Sequence, residues 1–192
     1  GSEMCIRDST GQIPTLDGLK DELGRAIKRF AKRQMVWFKK DRDVLWLDME
    51  GDFLTQAVRA VEAGVAVAQE LCARGFRLLA TGEMGIGNTT TSSAIVSVLL
   101  GKDPAEVTGR GAGLTSEGLE RKIQAIRTAI AVNQPDSADS LDVLHKVGGL
   151  DIAGLAGVFL GGAIHRVPVL VDGFISSAAA LVAAAICPAA KD

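Results

Sequence analysis

A strand-length apolar run leads into a glycine-rich loop and then into a helix-forming segment, and this order restricts the fold more than any other feature. The run is residues 76–81, the loop is residues 82–88 with three glycines, and the helix-forming segment is residues 92–100. Glycine lets backbone N–H groups converge without a Cβ in the way, and a helix N-terminus adds about half a positive charge. The stretch therefore predicts a binding site for an anion such as phosphate.

The loop follows the Walker A spacing with one difference. Gly82 and Gly87 are separated by four residues, but Asn88 stands where the Walker A lysine would be, before Thr89. The missing lysine favours a smaller, less charged phosphate over a nucleoside triphosphate. A phosphate would repel Glu83, so a functional Glu83 would accept hydrogen bonds from sugar hydroxyls. A glycine turn with a purely structural role is the alternative interpretation.

Composition excludes several classes of protein. The chain has 192 residues, 47% of them hydrophobic, which is enough for one well-filled domain, and a formal net charge of -2 argues against nucleic-acid binding. Cys5, Cys72 and Cys187 are scattered, so neither a disulfide framework nor a metal site is expected. Together with the lack of a signal-peptide pattern, this favours a reducing compartment, the cytoplasm.

The chain is expected to divide into three parts. Residues 1–10 resemble a non-native tag, residues 11–52 form an N-terminal segment with a basic amphipathic helix over 17–40, and residues 53–192 form the core. A helix over residues 53–73 begins this core. The uncharged stretch 173–190 is rich in alanine, so we expect a buried helix there and no membrane span.

The second half of the core repeats the first pattern. Residues 167–171 form a second apolar strand, expected to be parallel and covered on both faces, and a glycine turn then leads into the last helix. Two such loops can border one crevice. Residues 150–164 form a glycine-dense helix, which is expected only where another backbone lies close. Lys122 lies one turn into a helix over 118–132, and its position alone indicates a surface lysine.

Four motifs occur in the order seen in one known family. Residues 82–90 (GEMGIGNTT), 109–113 (GRGAG), 147–155 (VGGLDIAGL) and 168–176 (PVLVDGFIS) closely resemble the nicotinate-nucleotide:5,6-dimethylbenzimidazole phosphoribosyltransferases of cobalamin biosynthesis. The similarity extends from about Phe53 to Pro188. It implies an α/β enzyme with a Rossmann-like, doubly wound parallel sheet and helices on both faces, incomplete here relative to the family, and a homodimer.

The resemblance also implies a reaction and a binding site. Such a pentosyltransferase moves ribose 5-phosphate from nicotinate mononucleotide to dimethylbenzimidazole, giving α-ribazole 5′-phosphate and nicotinate, without a cofactor or metal. Glu83 would contact the ribose hydroxyls and Lys122 would pair with the phosphate. The substrate-binding residues that the resemblance implies are Glu83, Gly85, Gly87, Asn88, Thr89, Lys122, Asp151, Gly173, Phe174, Ser176 and Ser177.

The chain departs from the family pattern in two places. The glutamate of a G-E-G-[ST]-G-A segment, which acts as general base in the family, has no counterpart, and residues 11–52 do not resemble the family's benzimidazole pocket. No catalytic residue is therefore expected in this chain, and transfer by the chain alone is expected to be weak. Two alternatives are a non-catalytic nucleotide-binding or partner-binding module and, less compatible with Asn88, a P-loop hydrolase.

Overall fold

The computed structural model describes residues 52–111 and 113–191. In chain order, the described elements are α1 (Phe53–Ala73), β1 (Leu79–Ala80), α2 (Thr89–Leu100), α3 (Pro104–Val107), α4 (Ser116–Asn133), α5 (Ser140–Val147), α6 (Leu150–His165), β2 (Val169–Leu170), α7 (Gly173–Ile186) and a final 3₁₀ turn (Pro188–Lys191). The helix predicted over residues 17–40 lies outside the described residues. The α/β class is confirmed, with helices outweighing the sheet.

Helix α1 has the predicted range, and hydrogen bonds satisfy backbone groups at both of its ends. The Asp52 carboxylate accepts a hydrogen bond from the Leu54 N–H at the N-terminus. At the C-terminus, Gly75 has a φ of 94°, and its N–H donates to the Cys72 carbonyl while the Phe76 N–H donates to the Leu71 carbonyl. A residue with a side chain is strained in that conformation, so glycine is needed to turn the chain toward β1.

The two strands pair in parallel but are shorter than predicted. Leu79 lies opposite Val169 and Ala80 opposite Leu170, so each strand has two residues, where residues 76–81 and 167–171 were expected. Pro168 has no N–H, and its contribution to the pairing is a carbonyl that accepts from the Leu79 N–H at 3.0 Å. The parallel crossover between the strands is confirmed, whereas the predicted strand length is wrong.

The sheet is covered on one face only among the described residues. Leu79 is buried against Ala68 of α1 and Val167, whereas Leu170 and Val171 are exposed. The prediction that the second strand is covered on both faces is therefore wrong for this part of the chain. The reason is that the main core forms between helices, around residues such as Ile95, Ile126, Ile152 and Val182, and only its margin reaches the sheet.

The glycines of α6 let its backbone touch the backbone of α1, as predicted. A Cβ at Gly157 would overlap the Val61 carbonyl oxygen, and one at Gly161 would lie 2.6 Å from the Ala68 Cβ. Gly154 is different, because a Cβ there would meet nothing closer than the Ala60 carbonyl oxygen at 3.8 Å. Close contact between the two backbones offsets the helix propensity that these glycines cost.

The last long helix is also largely buried, as the sequence predicts. Ile175, Ala178, Ala179 and Val182 of α7 belong to the buried side of the helix. Across residues 52–111 and 113–191, no helix combines the length and the hydropathy that crossing a bilayer requires.

Two glycines of α6 provide a matched stability test. We expect Gly157→Ala to lower the free energy of unfolding by about 1–3 kcal/mol, because its methyl group would be forced against rigid backbone. Gly154→Ala should leave stability unchanged or raise it by up to about 1 kcal/mol, because alanine favours the helix and has room. Urea unfolding of both variants measures the difference. Equal effects would contradict the backbone contact described for Gly157.

Candidate functional site

The loops that follow the two strands lie at the same edge of the sheet. Because β1 and β2 are parallel and paired, their carboxyl ends meet there. The Thr81 hydroxyl donates to the Leu170 carbonyl at 3.1 Å, and it is also hydrogen-bonded to the buried Ser176 hydroxyl of α7. These bonds connect the end of β1 to the end of β2 and to the start of α7, so the two loops have a fixed relative position.

The loop between β1 and α2 is open to solvent. Gly85 and Gly87 have φ values of 74° and 81°, which favour glycine, whereas Gly82 does not adopt such a conformation. A Cβ at any of the three would meet no atom within 4 Å. The Glu83 carboxylate is exposed and accepts a short hydrogen bond from the Gly85 N–H. Gly82 therefore has neither a conformational nor a packing requirement for glycine within the described structure.

Asn88 links the start of α2 to the start of α6. It is the N-cap residue of α2 but makes no side-chain cap; its Nδ2 instead donates to the Asp151 carboxylate at 2.7 Å. An ionised carboxylate only accepts hydrogen bonds, so this contact fixes which way the amide points. Its other end, Oδ1, is buried and has no hydrogen-bond partner among the described residues. The side chain thus presents a buried acceptor beside the helix N-terminus.

Lys122 reaches the same helix N-terminus from α4. Its ammonium group donates to the Thr89 hydroxyl at 3.0 Å and to the Gly109 carbonyl at 3.2 Å. No described carboxylate forms an ion pair with Lys122. Burial lowers the pKa of Lys122, because the protein solvates the ammonium less well than water does. The two oxygens are neutral, so the positive charge is left without a counter-charge among these residues.

A cavity of about 210 Å³ lies at this point. Its lining residues are Thr89, Ser93, Val107, Gly109, Gly111, Lys122 and Phe174. Lys122 is the one ionisable side chain in that lining, and Phe174 the one aromatic. The cavity therefore combines a cation, hydroxyls and glycine backbone at the N-terminus of α2, which suits a small anion.

The structure brings only some of the predicted site residues to this cavity. Thr89, Lys122 and Phe174 line it, and Asn88 adjoins Thr89 in the chain. Ser176 and Ser177 lie outside the lining. The buried Ser176 hydroxyl is hydrogen-bonded to the Thr81 hydroxyl, and the Ser177 hydroxyl donates to the Gly173 carbonyl at 2.7 Å. The remaining predicted residues, which lie outside the lining, are Glu83, Gly85, Gly87, Asp151 and Gly173.

Sequence reasoning assigned no role to four residues of the lining, Ser93, Val107, Gly109 and Gly111. Gly109 is the most informative of them. It has no positive φ, and a Cβ there would meet no atom within 4 Å, so the described fold does not require glycine at this position. The G-x-G-x-G pattern of residues 109–113 was a signal that could have identified it. A glycine without a local reason is expected where a ligand approaches the backbone.

Two other kinds of site are less well supported. A larger cavity of about 630 Å³ near the end of α6 is lined by residues such as Phe159, Arg166 and Lys191, but by no predicted site residue. It adjoins Val167 and Pro168, which precede β2, whereas the loops lie beyond its carboxyl end. Within the two described ranges, no group of three or more histidine, cysteine, aspartate or glutamate residues could bind a metal.

The comparisons with known proteins agree on one family. A family model described as "Phosphoribosyltransferase" matches residues 53–192. The nicotinate-nucleotide–dimethylbenzimidazole phosphoribosyltransferase of Alkaliphilus metalliredigens is 58% identical over 136 residues, which are 71% of this chain and 39% of that protein. The protein of the same name from Ruminiclostridium cellulolyticum is 51% identical over 156 residues, 80% of this chain and 44% of that protein.

Solved structures give the same result. The crystal structure of CobT from Thermus thermophilus is similar with a TM-score of 0.66 and 41% identity, covering 70% of this chain and 40% of that one. The chain thus spans about two fifths of the length of the relatives that it matches. The family model, the identities and the shared fold together establish that this chain belongs to the nicotinate-nucleotide–dimethylbenzimidazole phosphoribosyltransferase family.

Proposed function

We propose that the cavity beside Lys122 binds the phosphoribosyl group of nicotinate mononucleotide. The reaction served would be transfer of that group to 5,6-dimethylbenzimidazole, giving α-ribazole 5′-phosphate and nicotinate, for the lower ligand of cobalamin. One observation supports this most directly: the Lys122 ammonium lies 3.0 Å from the Thr89 hydroxyl, at the N-terminus of α2. The relatives' names identify the two substrates of those proteins, and the site found here suits the phosphate of the nicotinate nucleotide.

Charge balance favours a phosphate monoester at this site. Lys122 has no described counter-ion, and the first turn of α2 has no side-chain cap for its N–H groups. A phosphate would accept hydrogen bonds from both, and its negative charge would offset the cost of burying the ammonium. Asn88 replaces the Walker A lysine, so the cation comes from α4 and not from the loop. A nucleoside triphosphate would lack the usual cradle for its β- and γ-phosphates.

The sugar is assigned to the open loop and to the acceptor groups near it. Glu83 is exposed, with one carboxylate oxygen engaged by the Gly85 N–H, so its other oxygen could accept from ribose hydroxyls. Gly85 and Gly87 would let the backbone approach the ligand. Asn88, oriented by Asp151, would add a second acceptor after a small rearrangement, because its Oδ1 is buried in the described structure. Gly173 and Ser177 would border the ligand at the start of α7.

The transfer itself requires a group that the cavity lining does not supply. The bond between ribose C1′ and the nicotinate nitrogen breaks, a benzimidazole nitrogen bonds to C1′, and the second benzimidazole nitrogen loses its proton to a base. The residues that line the cavity carry no carboxylate or imidazole to accept that proton. The role proposed for this chain's residues is therefore to bind and orient the phosphoribosyl group.

Three further properties follow from the family and are proposed with the function. The parallel pair β1–β2 would be part of a doubly wound, Rossmann-like sheet, which is compatible with the exposed apolar side chains of Leu78 and Leu170. The protein would act as a homodimer. It would work in the cytoplasm, because its phosphorylated substrate does not cross membranes freely.

Removing the Lys122 charge tests the phosphate site. We expect Lys122→Met to weaken binding of nicotinate mononucleotide by about 10- to 100-fold in calorimetry, because a hydrogen-bonded charge is lost. Arg121→Met is the matched control, since Arg121 precedes Lys122 on the same helix but is exposed and does not line the cavity. The affinity of Arg121→Met for nicotinate mononucleotide should remain within about twofold of the wild-type value. Equal affinities for wild type and Lys122→Met would refute the proposed contact.

The second test concerns turnover. We expect this chain to release nicotinate from nicotinate mononucleotide and dimethylbenzimidazole about 100- to 10,000-fold more slowly than the relatives, which is the usual contribution of a general base. Chromatographic detection of nicotinate, with and without dimethylbenzimidazole, measures transfer above hydrolysis. Release at the relatives' rate would show that a base acts on the substrate from elsewhere in the chain.

A further inference from the structure

Large apolar side chains are exposed where the two loops leave the sheet. Met84 and Ile86, in the loop after β1, are 83% and 73% exposed, and Phe174, after β2, is 41% exposed. All three follow the carboxyl ends of the paired strands. Exposed apolar groups beside a cavity are typical of ligand-binding surfaces, and of these three residues Phe174 lines the cavity described above. Phe174 is therefore the exposed apolar residue best placed to contact a ligand in the cavity.

The size of the cavity limits which part of a nucleotide it can hold. At about 210 Å³ it is smaller than the roughly 300–1,000 Å³ of pockets that enclose drug-sized ligands. A phosphate and its sugar fit such a volume better than a whole mononucleotide does. If the phosphate lies at Lys122, the base on C1′ must therefore lie at the cavity's open side, outside the polar part of the lining.

Phe174 offers that base a fixed apolar surface. It is the second residue of α7, and the next two residues are anchored: Ile175 is buried, and the buried Ser176 hydroxyl is bonded to Thr81. Among the described residues, the one aromatic ring pair is Phe53 with His145, so the Phe174 ring packs on no other aromatic ring. Its backbone position is set, and 41% of the residue is exposed to solvent.

We infer that Phe174 is a specificity-determining residue that packs against the aromatic base of the phosphoribosyl ligand, the pyridine ring in nicotinate mononucleotide. Lys122 would then recognise the phosphate, which all phosphoribosyl compounds share, and Phe174 would distinguish those with a flat aromatic base. This inference rests on the proposed function, because the phosphate must lie at Lys122 for the base to reach Phe174.

The test compares two ligands, nicotinate mononucleotide and ribose 5-phosphate, which lacks the ring. Calorimetry should show that Phe174→Leu weakens the binding of nicotinate mononucleotide by about 3- to 10-fold, which is the usual contribution of an aromatic pair. The affinity for ribose 5-phosphate should stay within about twofold of the wild-type value. Phe174→Tyr, which keeps the ring, should restore the affinity. Phe76→Leu is the matched control, because Phe76 is similarly exposed at 47% but precedes β1; it should change neither affinity.

The outcomes separate this inference from the function that it assumes. If Phe174→Leu lost equal affinity for the two ligands, or lost none for nicotinate mononucleotide, the role of Phe174 would be overturned while the phosphate site would stand. Failure of the wild-type chain to bind ribose 5-phosphate would instead overturn the proposed function and this inference with it. Thermal unfolding of Phe174→Leu checks that the fold is retained, and recovery in Phe174→Tyr shows that the ring, and not the helix start, is responsible.

Discussion

The described part of this protein depends on two helices whose backbones touch. Gly157 and Gly161 of α6 face Gly64 and Ala68 of α1, so no side chain larger than a methyl group separates the helices there. Interiors are packed so tightly that one methyl group at such a point displaces its neighbours. Ala68 and Val158, one from each helix, pack with Leu79 and Val167, which begin or precede the strands. The helix pair thereby sets the position of the parallel strands.

The candidate site follows from that arrangement. Parallel strands place their carboxyl ends together, and the Thr81 hydroxyl fixes the two departing segments through Leu170 and Ser176. Helix α2 then points its N-terminus toward a cavity that Lys122 enters from α4. It is unfavourable to leave a cation without a described counter-ion, and also to leave a helix N-terminus without a side-chain cap. Both become favourable when an anion binds, which is why their meeting at one point indicates a ligand.

Local sequence signals predicted the helices well and the long-range contacts poorly. Helix α1 matched its predicted range, and Gly75 ended it, because periodicity and capping depend on neighbouring residues. The strands were overestimated because an apolar run does not reveal how many strands will pair with it. The exposed Leu170 shows that such a run also does not determine how many faces of a sheet are covered.

In the candidate site, too, local features could be predicted from the sequence and long-range contacts could not. The glycine loop and helix start could be read from adjacent residues, but Lys122 was assigned through the family resemblance and from its position alone looked like a surface residue. Its contact with Thr89 joins residues 33 positions apart, and the Asn88–Asp151 bond joins residues 63 apart. Such pairs depend on tertiary packing, which no local pattern encodes. The ligand contacts assigned to all of these residues, Lys122 included, remain predictions.

We propose that Lys122 and the N-terminus of α2 together bind a sugar phosphate. A crystal structure of this chain with ribose 5-phosphate would locate the phosphate. We expect phosphate oxygens about 2.7–2.9 Å from the Lys122 ammonium, facing the first-turn N–H groups of α2. Phosphate density at any other place, with the Lys122 ammonium still bonded only to Thr89 and Gly109, would contradict it.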